Sequence, residues 1–416
     1  MSPMPGARSE LEFDVGGRMH VLLLPSSYPT AASPVAALFC RDQAQALVRS
    51  GVRVGVVYPD RRSLRTLSPR AVLEQHGQIQ TTIDGGATTM RWSGWNIPQR
   101  EASGHLFRSM AVRLIGRYIE RYGMPDLIHA HEAVWAGAAA SQAAERYGLP
   151  YVLTEHSSGY VLGEIHGEAA AWAGLAYRKA SRVIAVSRFL AASIAPFGAA
   201  PEAVEVIANV VDTDFFTLPD RPRRPSGRTR FLCLAQLQPA KGIDLLLRSF
   251  ARAVAGRDWA TLEIGGGNRG WEALKELATE LGIAERVTFL GRLSRHEVRK
   301  ALWRADVLVV SSYVETFGVV LGEALATGLP VITTRCGGPE DIVSEDLGRF
   351  VPVGDETAMT QALLEFDPVV ELDPDRAERR RASIASRFSH AVIGQRLTHL
   401  YGDVIGRSDW EGGARV

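Results

Sequence analysis

The segment Val307–Val343 has the sequence VLVVSSYVETFGVVLGEALATGLPVITTRCGGPEDIV, and most of the fold prediction depends on it. The apolar run that ends at Val310 is typical of a buried strand, and a polar loop joins it to a helical stretch that begins near Gly318. Gly328 can end this helix in the left-handed conformation, and Pro330 then starts another strand. Because both strands are almost entirely apolar, they predict a parallel sheet that helices cover on both faces.

The same alternation of short apolar runs and longer helical stretches extends along the chain in two similar halves. The strands predicted in the first half are Met19–Leu24, Val52–Tyr58, Leu127–His129, Tyr151–Thr154, Val183–Val186 and Val204–Ile207. Those predicted in the second half are Phe231–Leu234, Thr261–Ile264, Val287–Leu290, Val307–Val310 and Val331–Thr333. The pattern predicts class α/β, with two Rossmann-like, doubly wound parallel sheets that face each other across a cleft. Such sheets bind ligands beyond the carboxyl ends of their strands, so we expect the site between the two units.

The domain boundaries follow from the composition between and beyond these halves. Residues 218–230, LPDRPRRPSGRTR, contain three prolines and five arginines and are the predicted linker. They separate an N-terminal unit at 18–217 from a C-terminal unit at 231–390. Residues 1–17 are predicted to be a flexible tail. Residues 391–416 are predicted to form a helix and a tail, and we expect the helix to pack back on the N-terminal unit.

The composition excludes several classes of protein. The 416 residues include 47 Lys and Arg against 46 Asp and Glu, and the resulting charge of +1 argues against a protein that coats nucleic acid. Cys40, Cys233 and Cys336 are too few and too widely spaced for a disulfide scaffold or a zinc framework. No apolar run approaches the ~20 residues of a spanning helix, and the N-terminus has no apolar signal core. We therefore expect a cytoplasmic protein.

The start of the helix near Gly318 is predicted to bind a charged ligand. The first N–H groups of a helix, here around residues 317–319, have no partner within the helix and attract anions. Glu315 precedes this helix, and Glu323 lies about 12 Å further along it at ~1.5 Å per residue. That separation suits a ligand with hydroxyl groups at both ends and a diphosphate between them. The alternative is that both glutamates are solvated surface carboxylates.

Two further segments follow predicted strands and could contact phosphate or a nucleotide. Lys241 stands at the head of a helix after the strand Phe231–Leu234, where its charge could meet phosphate; otherwise it is an exposed lysine. Gly265-Gly266-Gly267 directly follows the strand Thr261–Ile264. These glycines either let the backbone approach a nucleotide closely or simply form a turn.

Taken together, the motifs of both halves resemble the retaining glycosyltransferases of family 4, which have the GT-B fold. The resemblance extends from about Arg18 to Ile405, and its strongest element is Glu315-x7-Glu323 followed by Gly328-Leu329-Pro330-Val331. Further matching blocks, in chain order, are Pro25-Ser26, Arg41-Asp42-Gln43, His129/His131, Thr154-Glu155-His156-Ser157, Asn209-Val210-Val211-Asp212, Lys241-Gly242 and Gly337-Gly338-Pro339-Glu340.

The resemblance implies that the C-terminal unit binds a nucleotide-sugar donor and the N-terminal unit binds the acceptor. Glu323 would bind the ribose hydroxyls, Glu315 the hydroxyls of the transferred sugar, and Lys241 would neutralise the departing diphosphate. His156 would face the donor sugar, so the implied catalytic residues are Glu315, His156 and Lys241. Because a lysine and helix-start amides can stabilise a departing diphosphate, no metal or cofactor is expected. The implied donor-binding residues are Gln236, Lys241, Gly265, Gly266, Arg292, Leu293, Glu315, Thr316, Phe317, Gly318, Val319 and Glu323.

The candidates for the acceptor side are in the first half. Ser26 and Ser27 follow the first predicted strand, and His131 comes just after a later one, Leu127–His129. Because His129 and His131 lie on one strand, we expect at most one of them to face the cleft.

The chain departs from the family pattern at two positions. The family usually has an arginine five residues before the lysine, and Gln236 stands there instead. This change keeps hydrogen bonding but removes a positive charge from the diphosphate site. Val210 replaces the usual glycine after Asn209.

The helical stretch His105–Tyr122 carries four arginines, Arg108, Arg113, Arg117 and Arg121, with apolar residues between them. Such a helix either rests on an anionic membrane or covers a stripe of the core with a solvated face. Peripheral membrane contact through this helix is therefore one of the predictions.

The resemblance thus implies a retaining, metal-independent glycosyltransferase of the hexosyltransferase type. It would move a sugar from a UDP- or GDP-sugar to a carbohydrate, lipid-linked or small-molecule acceptor, with no nucleic acid as partner. One alternative is a nucleotide-sugar 2-epimerase, which also uses two facing Rossmann-like units. The other is a sugar-nucleotide-binding protein without catalysis.

Overall fold

The computed structural model describes residues 18–31, 33–62, 77–96, 100–221, 223, 227–267 and 270–406. The tail predicted at 1–17 and the end of the C-terminal tail, 407–416, lie outside the described residues.

An eight-stranded sheet is the framework of the N-terminal unit. Its strands are β1 His20–Pro25, β2 Arg53–Arg62, β3 Ile79–Asp84, β4 Ala87–Trp95, β5 Leu127–His131, β6 Tyr151–Glu155, β7 Arg182–Ala185 and β8 Val204–Val206. Their order is β3-β4-β2-β1-β5-β6-β7-β8, and every neighbouring pair is parallel except the hairpin of β3 and β4. All six residues of β1 are buried, as expected of a central parallel strand that helices cover on both faces.

A six-stranded, fully parallel sheet is the framework of the C-terminal unit. Its strands are β9 Thr229–Leu234, β10 Ala260–Gly265, β11 Val287–Gly291, β12 Val307–Val310, β13 Val331–Thr334 and β14 Gly348–Val351. Their order is β11-β10-β9-β12-β13-β14. The strand order reverses between β9 and β12, and this is the place where open α/β sheets form a ligand crevice. In the N-terminal unit the corresponding reversal lies between β1 and β5.

Helices cover the two sheets. Those of the first half are α1 Leu38–Arg49, α2 Arg100–Tyr122, α3 Ala138–Tyr147, α4 Gly167–Lys179 and α5 Arg188–Ile194. Those of the second half are α6 Ile243–Ala253, α7 Trp271–Glu280, α8 Arg295–Arg304, α9 Val319–Ala326, α10 Pro339–Ile342, α11 Glu356–Leu364, α12 Pro368–Glu371, α13 Pro374–Phe388 and α14 His390–Ile405. The prediction of two facing Rossmann-like sheets is confirmed.

The last helix, α14, lies against the first helix of the chain. Gly394 provides the contact, because a Cβ there would lie 2.4 Å from Ser50 Oγ and 2.6 Å from the carbonyl oxygen of Ala46. The hydroxyl of Tyr401 reaches the N-terminal sheet and lies 2.5 Å from His129 Nδ1. The final helix thus contributes to the N-terminal unit, although the chain enters it from the C-terminal one.

The chain therefore passes between the units twice, and the two crossings touch. The backbone N–H of Val211 donates a 2.8 Å hydrogen bond to the carbonyl oxygen of Phe388. Beside it, the guanidinium of Arg381 donates to the carbonyl oxygens of Thr213 and Phe216, each at 2.9 Å.

The arginine-rich helix α2 packs one apolar face on the N-terminal sheet. Arg113, Arg117 and Arg121 are exposed on its other face. Within the described residues, no helix has both the length and the apolar character that crossing a bilayer requires. Membrane contact through the exposed face stays a prediction. The residues buried beneath α2 include Phe107, Ala111, Leu114, Ile115 and Tyr118.

Candidate functional site

The reversal of strand order in the C-terminal sheet brings two predicted residues together. The loop after β9 ends in a short turn, Pro239–Lys241, and the loop after β12 contains Glu315. Lys241 Nζ donates a 2.7 Å hydrogen bond to Glu315 Oε1. Ser312 Oγ donates to the same oxygen at 3.0 Å. Although 74 positions separate Lys241 and Glu315 in sequence, the topology makes them neighbours at the floor of the cleft.

The ion pair between Lys241 and Glu315 is partly accessible, with 18% of one side chain and 15% of the other exposed. An ammonium group has three N–H donors, and the bond to Glu315 uses one of them. The pair can therefore contact an anion from the cleft while Glu315 keeps Lys241 in place. This is an arrangement suited to a diphosphate.

The loop that carries Glu315 is held rigidly by the next loop of the sheet. The N–H of Gly338 donates to the carbonyl oxygen of Glu315 at 2.7 Å, and the N–H of Glu315 donates to that of Cys336 at 3.2 Å. The approach requires glycine, because a Cβ on Gly338 would lie 2.4 Å from the backbone nitrogen of Phe317. The Gly-Gly segment before Pro339 thus positions the carboxylate.

Helix α9 begins directly after this loop, as predicted. Gly318 precedes it with φ 93°, a left-handed conformation that favours glycine. The ring of Phe317 is 2% exposed and packs against Phe388, with 5.8 Å between centroids. Phe317 is buried and Gly318 has no side chain, so neither residue stands over the first amides of the helix, and anion binding by those amides, from Val319 onward, stays a prediction.

Glu323 lies in a different environment from Glu315. It is half-buried on α9 and belongs to a cluster with Arg295 of α8 and with Asp42 and Asp212 of the N-terminal unit. Burial raises the pKa of Glu323 to about 8; Arg295 opposes this rise, and the two aspartates add to it. Glu323 therefore exchanges its proton near neutral pH.

The centre of that cluster is a salt bridge between the two units. Arg295 donates to both carboxylate oxygens of Asp42, at 2.9 and 3.0 Å, and lies 3.6 Å from Asp212. Burial raises the pKa of Asp42, and the guanidinium opposes that rise. The sequence analysis did not identify Arg295, because nothing local marks it and its partner is 253 positions away.

Three buried histidines lie next to one another in the N-terminal unit, on the side of the loop that carries Glu315. His156 Nε2 lies 3.0 Å from His131 Nδ1, and His129 Nε2 lies 2.7 Å from Thr154 Oγ1. His156 is 7% exposed and packs on the ring of Phe39, with 4.2 Å between centroids. Burial lowers the pKa of His131 to about 3 and that of His129 and His156 well below the ordinary value. All three imidazoles are therefore neutral.

His129 and His131 point to the same face of the N-terminal sheet; the expectation that at most one of them faces the cleft stays a prediction, because neither side chain is exposed. Their rings are stacked, with 4.4 Å between centroids. Residues i and i+2 of a strand point to the same face, so a shared orientation is what the strand period requires. His131 is nearer the carboxyl end of β5, and this brings it to His156.

The loop that carries Glu315 contacts His156 directly. Thr316 Oγ1 donates a 3.0 Å hydrogen bond to the backbone carbonyl oxygen of His156. Since Thr316 follows Glu315, this bond places the ion pair and the histidines on opposite sides of one narrow gap.

The other predicted residues are more dispersed. Gln236 is exposed and accepts a 3.3 Å hydrogen bond from Gln238. Arg292 is exposed and Leu293 is half-buried. Gly265 and Gly266 lie at the end of β10, and the N–H of Gly266 donates to the carbonyl oxygen of Gly291 at 2.9 Å. These residues come from the loops after β9, β10 and β11, which lie at the same edge of the C-terminal sheet. The contacts that the structure describes do not bring Gln236 to Lys241.

Of the serines predicted for the acceptor side, Ser26 is buried and Ser27 half-buried. Ser26 Oγ donates to the carbonyl oxygen of His131 at 3.1 Å and accepts from the N–H of Ala136 at 3.2 Å. Next to it lies Glu132, which the sequence analysis missed. Its backbone has φ 72° and ψ 129°, an unusual conformation for a residue other than glycine.

Replacing Arg295 is expected to open the cleft. Breaking a buried ion pair by removing one partner costs about 3–5 kcal/mol, because the other charge stays buried. For the Arg295→Gln variant we therefore expect a larger radius of gyration in small-angle X-ray scattering without nucleotide. Asp42→Asn should have a similar effect, and the double variant should add little.

Arg304→Gln provides the matched control for this prediction. Arg304 is on the same helix, but its partner, Glu263, lies 3.8 Å away within the C-terminal unit. Scattering curves of Arg295→Gln and Asp42→Asn that coincide with the parent curve would contradict a role of the pair in closure.

Two family sequence models match consecutive parts of the chain. Glycosyltransferase Family 4 matches residues 36–215, and Glycosyl transferases group 1 matches residues 214–379. A D-inositol 3-phosphate glycosyltransferase of Stackebrandtia nassauensis is 32% identical over 313 residues, which are 68% of this chain and 70% of the relative. The chain belongs to glycosyltransferase family 4. The predictions of family and of transferase activity are confirmed.

This family 4 glycosyltransferase has the GT-B fold. Sucrose-phosphate synthase from Thermosynechococcus elongatus matches it with a TM-score of 0.76 and 21% identity, over 94% of this chain and 100% of that chain. Anabaena Alr3699/HepE in complex with UDP and glucose matches with a TM-score of 0.69 and 20% identity, over 93% and 100% of the two chains. At sequence identities of 20% and 21%, the structural similarity shows a shared fold.

Proposed function

We propose that this family 4 glycosyltransferase moves a hexose from a UDP- or GDP-sugar to a hydroxyl group of the acceptor, with retention of the anomeric configuration and without a metal ion. One observation carries the proposal. The Lys241–Glu315 pair lies at the crevice of the C-terminal sheet, and Thr316 connects it to His156 on the opposite wall. The structural neighbour from Anabaena holds UDP and glucose in the same fold.

The charges of the site match those that develop in the reaction. Breaking the bond between the sugar C1 and the diphosphate leaves an electron pair on the phosphate oxygen and positive charge on the ring. Lys241 and the amides at the start of α9 stabilise the departing diphosphate. The carboxylate of Glu315 orients the sugar hydroxyls and counters the charge of the ring.

The neutral imidazole of His156 suits a position beside the sugar, because a protonated ring would repel the developing positive charge. The acceptor hydroxyl attacks C1 from the face that the diphosphate leaves, and its proton passes to a phosphate oxygen. Same-face attack retains the anomeric configuration. His131 and Ser26 lie buried behind the wall from which the acceptor approaches and support it, and Glu323 binds the ribose.

The proposal is tested by incubating the protein with UDP- and GDP-sugars, with and without a panel of acceptors. We expect nucleotide release only while an acceptor is glycosylated, an unchanged anomeric configuration by proton NMR, and undiminished turnover in EDTA. A donor epimerised at C2 in the absence of acceptor would replace the proposal with the epimerase. Tight donor binding without any reaction across the panel would favour a binding protein.

A further inference from the structure

Three potential metal ligands meet on the N-terminal wall of the cleft. Cys40 lies on α1, His131 at the end of β5 and His156 just after β6. Their exposed fractions are 2%, 0% and 7%. One ligand atom from each, the sulfur and two ring nitrogens, lie within 4.8 Å of one another.

The spacing is close to what a tetrahedral ion needs. Zinc lies about 2.0–2.1 Å from nitrogen and about 2.3 Å from sulfur, so tetrahedral geometry separates its ligand atoms by about 3.3–3.6 Å. His131 Nδ1 and His156 Nε2 are already 3.0 Å apart. The remaining adjustment is a small movement of the thiol and of one ring.

The polar atoms of this cluster are incompletely satisfied. With Nδ1 of His131 on the ion, its buried Nε2, which makes no hydrogen bond with any residue that the structure describes, would carry the ring proton. Metal ligands bind as neutral imidazole and as thiolate, so the ion would take the place of the Cys40 thiol proton, which is released to solvent. Sulfur and imidazole favour zinc and similar ions over magnesium, which prefers oxygen.

We propose that Cys40, His131 and His156 form a binding site for a soft divalent cation such as Zn²⁺, and that its occupation inhibits the enzyme. Three protein ligands leave a fourth position for water. The inhibition rests on the proposed function, because it assumes that the ring of His156 must face the donor sugar. Metal binding itself does not depend on that function.

The site is tested first without any reaction, by titrating the metal-free, thiol-reduced protein with Co²⁺. We expect an intense thiolate-to-cobalt band in the near ultraviolet and tetrahedral bands in the visible. Cys40→Ala should abolish the near-ultraviolet band, and Cys233→Ala, which removes a buried cysteine of the other unit, should keep it. A parent spectrum without the thiolate band, or one that Cys40→Ala leaves unchanged, would overturn the site.

Inhibition is measured next, with Zn²⁺ added to the transfer assay and each variant compared with its own metal-free rate. Cys40→Ala should raise the zinc concentration for half-inhibition by at least about 10–100-fold, the loss seen when even a supporting partner of a ligand is removed. Equal inhibition of both cysteine variants would overturn the assignment. Cobalt binding through Cys40 without inhibition by zinc would leave the metal site standing and would overturn only the proposal that its occupation inhibits the enzyme. If the proposed function itself fails, the cobalt titration still decides the site.

Discussion

Replacing Lys241 with alanine is expected to lower the turnover number by about 10²–10³-fold, equivalent to roughly 2.7–4 kcal/mol of barrier. The ammonium group lies on Glu315 at the crevice of the C-terminal sheet, where a departing diphosphate gains negative charge. The effect should fall mainly on turnover, because the charge on the diphosphate grows as the bond breaks. Initial rates at saturating donor, with the KM for donor determined separately, provide the measurement.

Two further variants separate this role from loss of the ion pair. Lys300→Ala removes an exposed lysine of the same unit and should retain the parent turnover. Glu315→Gln breaks the same pair but leaves the ammonium in place. The dependence of its initial rate on donor concentration should therefore differ from that of Lys241→Ala. Parent-like turnover in Lys241→Ala would remove the lysine from the mechanism.

Replacing Glu323 with glutamine is expected to weaken nucleotide binding by about 10–150-fold, since a hydrogen bond to a charged group contributes about 1.5–3 kcal/mol. The ribose hydroxyls would donate to this carboxylate. Calorimetric titration with UDP and GDP, and with their 2′,3′-dideoxy analogues, measures the effect. The parent should lose affinity for the dideoxy analogues, and the variant should not distinguish them from the ribonucleotides.

The pH dependence of the same titration gives a second readout. Because burial raises the pKa of Glu323 to about 8, the carboxyl is largely protonated at pH 7. Two donating hydroxyls favour the ionised form, so nucleotide affinity should increase as the pH rises from 7 to 9, with release of a proton on binding. Glu323→Gln should remove this increase, and Glu345→Gln, at an exposed surface pair with Arg335, should preserve it. The same pH profile in the parent and in Glu323→Gln would contradict the ribose role.

The parts of the site that the sequence predicts are those made by one continuous segment. The strand Val307–Val310, the loop with Glu315 and the helix with Glu323 are local in sequence, and turn residues mark their ends. Most of the buried strands were predicted for the same reason, but the largely buried β4 and the edge strand β14 were not. The hairpin of β3 and β4 was not, because β3, IQTTID, has no buried residue and lacks an apolar run.

Contacts between the units could not be predicted from one sequence. Arg295 reads as an ordinary residue at the start of a helix, and only the folded chain shows that it holds Asp42 of the other unit. Lys241 and Glu315 were each predicted, but their ion pair depends on which strands are neighbours. Glu132 stands out by its positive φ angle, and a glutamate in the sequence does not indicate such a backbone conformation.

The hydrogen bond from Val211 to Phe388 constrains how this enzyme can admit its substrates. The chain connects the two units twice, and the two connections meet at this hydrogen bond. The units therefore cannot slide past each other, and the motion left to them is rotation about an axis through this point. Displacement during such a rotation grows with distance from the axis. The rim farthest from the hinge must therefore swing widest, and an acceptor too large for the closed gap has to enter there.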